Sequence, residues 1–297
     1  MNRFLCLGAG EGWHADQLTA AAAALGCELH HAKYETLRAS IREGVCSLDC
    51  EAGPLAEFDA ILTRTMPAGT LEQITFRLAT LHDLQMKAGK ETVPIVNPPR
   101  SLEIAIDKFA TLAHVAKLGY SVPETIVVQS RSEAVDAFSR LGGDCVIKPI
   151  FGGEGRGVMR VKDPELAWTA FCTLEQLGAV AYVQRFVPPG GTDTRLLVIG
   201  DKVIGLRRSA DHDFRTNVRS GGRCQSIALD DAQVTMARRI CDSIGLKFAS
   251  VDLIDTEDGQ GKVLEVNAIP GWKGAQSVTE HSIGEMIVGL LMKEAKA

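Results

Sequence analysis

Residues 250–267 read SVDLIDTEDGQGKVLEVN, an alternation of apolar and polar residues that is broken by an Asp-Gly pair at 258–259. Asp-Gly is a strong signal for a two-residue hairpin, because both central positions of a type I′ turn require positive φ. Counting outward from this turn pairs Asp252 directly with Glu265 and puts Asn267 two residues farther along the same face. The pattern therefore predicts a β-hairpin with two carboxylates and an amide on one face.

The same register pairs Ile254 with Val263. It assigns to the opposite, apolar face Val251, Leu253, Leu264 and Val266. Carboxylates that face each other repel unless a cation lies between them, and oxygen ligands of this kind suit Mg²⁺. The hairpin thus predicts a magnesium site, although by itself it also fits a half-exposed hairpin with ordinary polar residues.

The whole chain has the composition of a globular protein that does not bind nucleic acid or a membrane. It has 297 residues, of which 45% are hydrophobic and 23% charged, and its formal net charge is −5. No apolar run approaches the roughly 20 residues of a spanning helix, and the amino terminus has no signal-peptide pattern. We expect a cytoplasmic protein of two or three lobes.

The amino-terminal part is predicted to be an α/β unit. Residues 4–7 form a short apolar strand, a glycine turn follows at 8–12, and an alanine-rich helix extends to Leu25. The glycines have the spacing G-x-G-x-G, which does not match the G-x-G-x-x-G of dinucleotide-binding proteins. Two consecutive prolines, Pro98 and Pro99, indicate a domain boundary.

A glycine-rich segment at 151–157 follows a predicted strand that ends in Lys148 and Pro149. Dense glycines let backbone N–H groups approach an anion closely, so the segment fits a phosphate-binding flap inside a hairpin. It also fits a flexible tight turn. Upstream, Ser101 is predicted to cap one helix that extends to Leu118 and carries Lys108 in its middle.

A cluster of cations occupies residues 195–223 in this otherwise acidic chain. Its members are Arg195, Lys202, Arg207, Arg208, Arg215, Arg219 and Arg223. Guanidinium groups bind phosphates and carboxylates in bidentate fashion, although a solvated basic face has the same composition. A flap, a lysine, an arginine cluster and a magnesium face together indicate phosphoryl transfer from ATP.

These motifs, in this order, resemble the RimK-like glutamate ligases of the ATP-grasp family. The resemblance extends from about Pro98 to the carboxyl end and includes Gln184–Val187, Asp193–Arg195 and Glu265–Gly271. Residues 12–14 and 64–77 are similar to the branch that adds glutamate to pterin-type cofactors such as tetrahydromethanopterin. The resemblance implies an α/β ATP-grasp fold with a Rossmann-like domain at 1–97, a central lobe with the flap at 98–183, and a carboxyl-terminal lobe at 184–297.

It also implies roles for individual residues. Nucleotide contacts are expected from Lys108, Lys148, Gly152, Gly153, Gly155, Gly157, Gln184, Arg185, Phe186, Val187, Asp193 and Arg195. Two Mg²⁺ ions, for which Mn²⁺ can substitute, are expected on Asp252, Glu265 and Asn267. Catalytic roles are expected for Arg207, Arg215 and Asn217, and substrate contacts for His14, Arg64, Arg77, Gly222 and Trp272.

Two positions depart from the family pattern. Arg185 replaces the usual glutamate of the adenine-binding segment, which leaves its side chain without an expected role. Trp272 replaces a smaller aliphatic residue of the ribosomal-protein-modifying member, which favours a flat ring over a protein tail as substrate.

The implied activity is ATP-dependent ligation of a small-molecule carboxylate to an amino acid, with L-glutamate as the expected amine and ADP and phosphate as products. A homo-oligomer is a possible assembly. Two alternatives stay open at this point: a non-catalytic ATP-binding sensor or partner protein on the same scaffold, and another ATP-grasp enzyme such as a dipeptide ligase.

Overall fold

The computed structural model describes residues 1–86, 92–153, 155–211, 213–216, 222–256 and 261–296. Its amino-terminal part contains a four-stranded parallel sheet and a small antiparallel sheet. The elements are β1 (Arg3–Leu7), α1 (Trp13–Ala24), β2 (Glu28–Ala32), β3 (Arg38–Arg42), β4 (Val45–Cys50), β5 (Gly53–Pro54), β6 (Ala60–Thr63), α2 (Leu71–Met86) and β7 (Ile95–Val96). The parallel sheet has the order β2-β1-β6-β7, so the chain changes direction across the sheet between β1 and β6.

The helix predicted from Ser101 to Leu118 is two helices, α3 (Pro99–Ile106) and α4 (Lys108–Lys117). Asp107 separates them with an extended backbone, and its carboxylate caps α4 by accepting from the N–H groups of Phe109 and Ala110 at 2.8 and 3.0 Å. Short acidic side chains favour this N-cap position over a helix interior. Lys108 therefore begins a helix, where its Nζ donates to the Gly152 carbonyl at 2.5 Å.

The central lobe is an antiparallel sheet covered by two helices. Its elements are β8 (Thr125–Val128), α5 (Arg131–Arg140), β9 (Cys145–Lys148), β10 (Met159–Val161), α6 (Pro164–Gln176) and β11 (Ala181–Arg185), and the strand order is β10-β9-β11-β8. Because β9 and β10 pair antiparallel, the glycine-rich segment connects the two strands of a hairpin, as predicted. The lobe has an apolar cluster of its own, with Phe138 and Phe171 at its centre.

The carboxyl-terminal part is a five-stranded antiparallel sheet with three helices. Its elements are β12 (Thr192–Ile199), β13 (Lys202–Ser209), β14 (Arg223–Ile227), α7 (Asp231–Ile244), β15 (Phe248–Ile254), β16 (Lys262–Asn267), α8 (Lys273–Gln276) and α9 (Ile283–Glu294). The strand order β14-β13-β12-β15-β16 places the predicted hairpin strands at one edge.

The predicted hairpin register is correct near the candidate ligands and wrong nearer the turn. Asp252 pairs with Glu265, but a β-bulge follows, so Ile254 pairs with Lys262 instead of Val263. A bulge places two residues of one strand opposite a single residue of the partner strand. Val263 consequently joins the core, and Leu264, predicted to be a core residue, lines a cavity instead. The 258–259 turn lies outside the described residues.

The amino-terminal sheet and the five-stranded sheet share two apolar clusters. Leu102 of α3 and Val115 of α4 belong to one of them, so these helices pack with the carboxyl-terminal sheet, although the sequence placed 98–183 in one lobe. Asn97 joins the two parts: its side chain donates to the carbonyls of Phe248 and Ala268 and accepts from two N–H groups. Within the described ranges, no helix is both long and apolar enough to cross a membrane.

Candidate active site

A cleft lies between the central sheet and the five-stranded sheet, with an empty volume of about 880 Å³ including the open solvent at its mouth. Of the residues predicted to bind nucleotide, its lining contains Lys108, Lys148, Gly152, Gly153, Gly155, Gln184, Arg185, Phe186, Val187 and Asp193. Asp252, Glu265 and Arg215 line it as well, whereas Gly157, Arg195 and Asn267 lie outside the lining formed by the described residues.

Lys148 is a buried cation in this cleft. It ends β9, is 9% exposed, and donates to Gln184 Oε1 at 2.7 Å. Gln184 is held in turn, because its Nε2 donates to Thr125 Oγ1 at 2.9 Å. Burial lowers the pKa of Lys148 to about 8, while Glu265 acts in the opposite direction. The ammonium group therefore has a fixed direction and gains from any anion that enters the cleft.

The segment after β11 has few backbone donors left for a ligand. The N–H of Arg185 donates to the Glu124 carbonyl at 2.8 Å, and that of Phe186 to the Asp144 carbonyl at 2.9 Å. The Arg185 side chain is about half exposed and pairs with the Glu124 carboxylate at 2.8 Å. The N–H groups of these two residues are therefore already paired within the protein, and the nucleotide contacts expected at Arg185 and Phe186 stay predictions. Of the described hydrogen bonds, none engages the N–H of Val187, which leaves that donor for a ligand.

A buried ion network forms the floor of the cleft. Arg208 is 4% exposed and binds Asp193 in bidentate fashion at 2.6 and 2.5 Å, and it also binds Asp252 at 2.9 Å. Arg195 holds Asp252 through two further bonds of 2.8 and 2.7 Å, and Thr216 donates to Asp193. Burial raises the pKa of Asp252, but Arg195 and Arg208 outweigh it and hold that pKa well below its usual range. Asp193, expected to contact the nucleotide, thus has both oxygens occupied by Arg208 and Thr216.

Arg207 lies on the other face of this sheet and is not part of the cleft lining formed by the described residues, so its catalytic role stays a prediction. Successive side chains of a strand point to opposite faces. Arg207 donates to Thr194 Oγ1 at 3.1 Å and pairs with Asp255 at 2.6 Å, whereas its neighbour Arg208 reaches the cleft. Of these two adjacent arginines, Arg208 is therefore the one that faces the cleft.

The loop after β13 supplies one more guanidinium to the cleft. Arg215 donates to Asp213 at 2.7 to 3.1 Å and to the Val158 carbonyl at 3.4 Å, so it connects this loop to the base of the flap. Asn217, the third predicted catalytic residue, lies outside the described residues. Gly222 is half buried and directly precedes β14.

Two of the residues predicted to contact substrate, His14 and Arg64, lie against a third, Trp272. The Trp272 side chain is 0% exposed, so neighbouring residues cover it in this structure and its contact with an acceptor stays a prediction. His14 Nε2 accepts from the Trp272 N–H at 3.2 Å, and the Arg64 guanidinium lies 4.8 Å from the Trp272 ring centroid. Arg77 is 4% exposed and donates to the Pro67 carbonyl at 2.8 Å, so it holds the loop between β6 and α2.

Comparison with known proteins agrees with this geometry. The model of the RimK-like ATP-grasp domain matches residues 105–291. Over 250 residues the chain is 34% identical to a tetrahydromethanopterin:α-L-glutamate ligase of Methanosarcina acetivorans, which covers 74% of this chain and 75% of that protein. The chain belongs to the RimK-like ATP-grasp family. It is an ADP-forming ligase of that family.

Other proteins similar to this RimK-like ligase are consistent with the same family. A probable α-L-glutamate ligase of Legionella pneumophila is 31% identical over 247 residues, which are 82% of this chain and 79% of that one. The ATP-grasp ligase PsnB, solved with a minimal precursor, Mg and ADP, has a TM-score of 0.74 and 21% identity, with 98% of this chain and 97% of that chain covered. The RimK domain ATP-grasp protein of Sphaerobacter thermophilus has a TM-score of 0.69 and 22% identity over 98% and 99% of the two chains. The similarity to these two solved structures establishes the ATP-grasp fold of the chain.

The candidate metal ligands of this RimK-like ligase fit a hard cation. Within the described part of the chain, no three His, Cys, Asp or Glu side chains form a metal-binding group. The predicted set has two carboxylates, Asp252 and Glu265, and the amide of Asn267. Asp252 accepts three hydrogen bonds, and a carboxylate offers about four lone-pair sites, so one remains. Oxygen donors of this kind suit Mg²⁺. Asn267 Oδ1 accepts from the Ile269 N–H at 2.9 Å, which orients its side chain.

Sequence reasoning did not include Arg208 among the site residues, although a signal was present. Ile199 pairs with Lys202 across a two-residue turn at Gly200 and Asp201. Glycine in a two-residue turn is a hairpin signal, and counting outward from it pairs Asp193 with Arg208. That count identifies the arginine that faces the cleft.

Proposed function

We propose that this RimK-like ligase joins L-glutamate to the carboxylate of a small pterin-type acceptor, with ATP as the energy source. The observation that carries the proposal is the pairing of Asp252 with Glu265 in a cleft that also contains Lys148 and the glycine flap. Support for glutamate and for a pterin comes from the relatives, which include tetrahydromethanopterin:α-L-glutamate ligases at 31 to 34% identity.

ATP is proposed to enter with its base against the segment that ends β11. The N–H of Val187 is the free donor there, and Phe186, which is 7% exposed, supplies apolar surface. The phosphates then lie beneath the flap, near Lys148 and Arg215. Backbone N–H groups at dense glycines, together with two cations, provide a favourable electrostatic environment for a polyanion.

The proposed chemistry has two steps. The acceptor carboxylate attacks the γ-phosphorus of ATP, the bond between that phosphorus and the bridging oxygen breaks, and ADP leaves. The glutamate amine then attacks the carbonyl carbon of the acyl phosphate and loses a proton, and phosphate departs as the amide forms. Arg208 and Arg215 stabilise the negative charge that develops during both steps.

Mg²⁺ is proposed to be held by Asp252, Glu265 and Asn267, where it neutralises phosphate charge. The chain's own contribution is to orient these ligands in advance. Asp252 is fixed by two arginines, and Glu265 lies opposite it on the neighbouring strand. The number of ions and the use of Mn²⁺ stay predictions.

The direct test is the product analysis of a reaction with ATP, Mg²⁺, tetrahydromethanopterin and L-glutamate. We expect ADP and phosphate, an acceptor heavier by one or more glutamyl residues, and an acyl hydroxamate when hydroxylamine replaces glutamate. With a heavy-oxygen label in the acceptor carboxylate, one labelled atom should appear in phosphate. AMP and pyrophosphate as products would contradict the proposal, and D-glutamate serves as the control amine.

Glu265→Gln tests the metal face. The amide keeps the size of the side chain but removes the charge that a divalent cation requires, so ADP release should fall by about 100-fold or more, as expected when electrostatic stabilisation is lost. Glu280→Gln, at an exposed position, is the matched control. Turnover in Glu265→Gln that equals the control would exclude Glu265 as a metal ligand.

A further inference from the structure

The parallel sheet has a topological switch point that the nucleotide cleft does not use. In the order β2-β1-β6-β7, the chain leaves β1 toward β2 on one side and returns to β6 on the other. In open α/β sheets, ligands bind at the carboxyl ends of the strands where the order reverses. Here that crevice is formed by the segment after β1, which begins at Gly8, and by the segment after β6, which begins at Arg64.

Arg64 is a cation without a counterion in this crevice. Both terminal nitrogens of its guanidinium donate to one acceptor, the Pro270 carbonyl, at 3.2 Å. No Asp or Glu in the described part of the chain forms an ion pair with it, in contrast to Arg208, which binds two carboxylates. A desolvated cation of this kind is costly unless an anion accompanies it. The position therefore favours an anionic ligand.

The backbone at this point permits the close approach of Arg64. A Cβ atom on Gly8 would lie 2.9 Å from the Cβ of Arg64, a distance that side chains do not adopt. Glycine at the end of β1 thus allows the Arg64 side chain to cross the switch point. Its acceptor, Pro270, follows the predicted magnesium ligand Asn267 by three residues, a span of roughly 11 Å at most. The crevice and the nucleotide cleft are therefore neighbours.

Trp13, at the start of α1, provides an aromatic surface next to the buried Trp272. The two ring centroids are 6.2 Å apart, and Arg64 lies against the same Trp272 ring. Trp13 is half buried, whereas Trp272 is fully buried. The exposed Lys273 places its Nζ 6.0 Å from the centre of the Trp13 ring. A half-exposed indole beside one cation, with a second cation on the neighbouring Trp272 ring, suits a flat ring that carries negative charge.

We propose that this crevice binds the acceptor, with Arg64 on an anionic group and the planar ring of the acceptor stacked on Trp13 beneath Lys273. The inference rests on the proposed function and assigns to Trp13 and Lys273 the role that the sequence suggested for Trp272. The buried Trp272 ring instead packs against both Trp13 and Arg64. Because the acceptor and ATP occupy separate sites, substitutions in the crevice affect acceptor binding and leave ATP binding unchanged.

The test measures binding of tetrahydromethanopterin by calorimetry without ATP, and of ATP without acceptor, in four variants. Trp13→Ala and Arg64→Gln should each weaken acceptor binding by about tenfold or more, a loss typical of an interface anchor residue. Trp13→Phe and Arg64→Lys should retain most of it, because they keep the ring and the charge. ATP should bind to all four as to wild type, and circular dichroism with unfolding midpoints verifies that the variants fold.

Matched controls exist elsewhere on the surface. Trp168 is 48% exposed and stacks with Arg131 at 4.6 Å, so Trp168→Ala removes a similar pair on the central lobe. Arg3, which lies 4.8 Å above the Phe58 ring, provides Arg3→Gln. Acceptor binding should be unchanged in both controls.

The outcomes separate this inference from the proposed function. If wild type does not bind tetrahydromethanopterin, or if Trp13→Ala and Arg64→Gln bind it as wild type does, the crevice is not the acceptor site. ADP release that needs the pterin but is insensitive to both substitutions overturns the crevice and leaves the ligase proposal standing. If acceptor binding depends on Trp13 and Arg64 but no ADP is released, the crevice proposal stands and the ligase proposal is overturned.

Discussion

Exchanging each of two adjacent arginines for methionine should produce very different losses of stability. Arg208 is 4% exposed and holds two carboxylates, so Arg208→Met leaves Asp193 without its cation in the interior and leaves Asp252 with Arg195 alone. Removing one partner of a buried ion pair costs about 3–5 kcal/mol. Arg207 and its partner Asp255 have side chains 39% and 32% exposed, and such pairs contribute about 0–1 kcal/mol.

The assay is thermal and urea unfolding of both variants beside wild type. At about 2–4 °C per kcal/mol for a domain of this size, Arg208→Met should unfold roughly 6–20 °C below wild type. Arg207→Met should stay within about 4 °C of wild type. Methionine suits the comparison because it keeps an unbranched chain of similar length at both sites.

The pH dependence gives an independent check with a definite sign. In wild type the lowered pKa of Asp252 contributes stability above its unfolded pKa, near 3.9, and that stability is lost as the pH falls. In Arg208→Met, Asp252 keeps only Arg195, so its pKa is lowered less than in wild type and this contribution to stability is smaller. The difference between the two proteins should be largest above the unfolded pKa and shrink as the pH falls below about 4. Equal losses in Arg207→Met and Arg208→Met would refute the placement of the two side chains on opposite faces.

The remaining predictions concern the nucleotide cleft. Because burial lowers the pKa of Lys148 to about 8, ATP binding should weaken by up to about tenfold per pH unit above that value as the ammonium loses its proton. Lys148→Arg, which stays charged, should flatten the profile measured by calorimetry, and a flat wild-type profile would contradict the assignment. Gly157→Ala should lower the unfolding midpoint, since Gly157 has φ +72 and a Cβ there would lie 2.8 Å from Pro149 Cγ; a cost of about 1–3 kcal/mol is expected for such strain. Gly153→Ala is the matched control, because nothing lies within 4 Å of its added Cβ and its φ is not positive, and equal shifts in the two would exclude the steric explanation.

Local patterns in the sequence were sufficient for several features of this ligase. The Asp-Gly pair and the alternation around it predicted that Asp252 faces Glu265, since a two-residue turn determines the register of a hairpin. The glycine-rich segment predicted a loop between β9 and β10 for a similar reason. These features depend on residues that are close along the chain, so their spacing carries the information.

Features that depend on contacts distant in sequence could not be predicted in this way. The bulge that turns Leu264 into the cleft was missed because a two-residue period assumes an unbroken ladder. The helix break at Asp107 was missed because an acidic residue is tolerated within a helix as well as at its start. Asn97, which binds Phe248 and Ala268 more than 150 residues away, shows no local pattern at all.

The sequence by itself determined the order of the motifs, the family and the pairing of the two carboxylates in the hairpin, because each is encoded within a few neighbouring residues or by a matching series of them. The tertiary structure decided which residues are accessible. In the folded chain Trp272 is buried against Trp13. Arg208 lines the cleft, whereas Arg207 does not belong to the lining formed by the described residues. Burial depends on which surfaces pack together, and here those surfaces come from opposite ends of the chain.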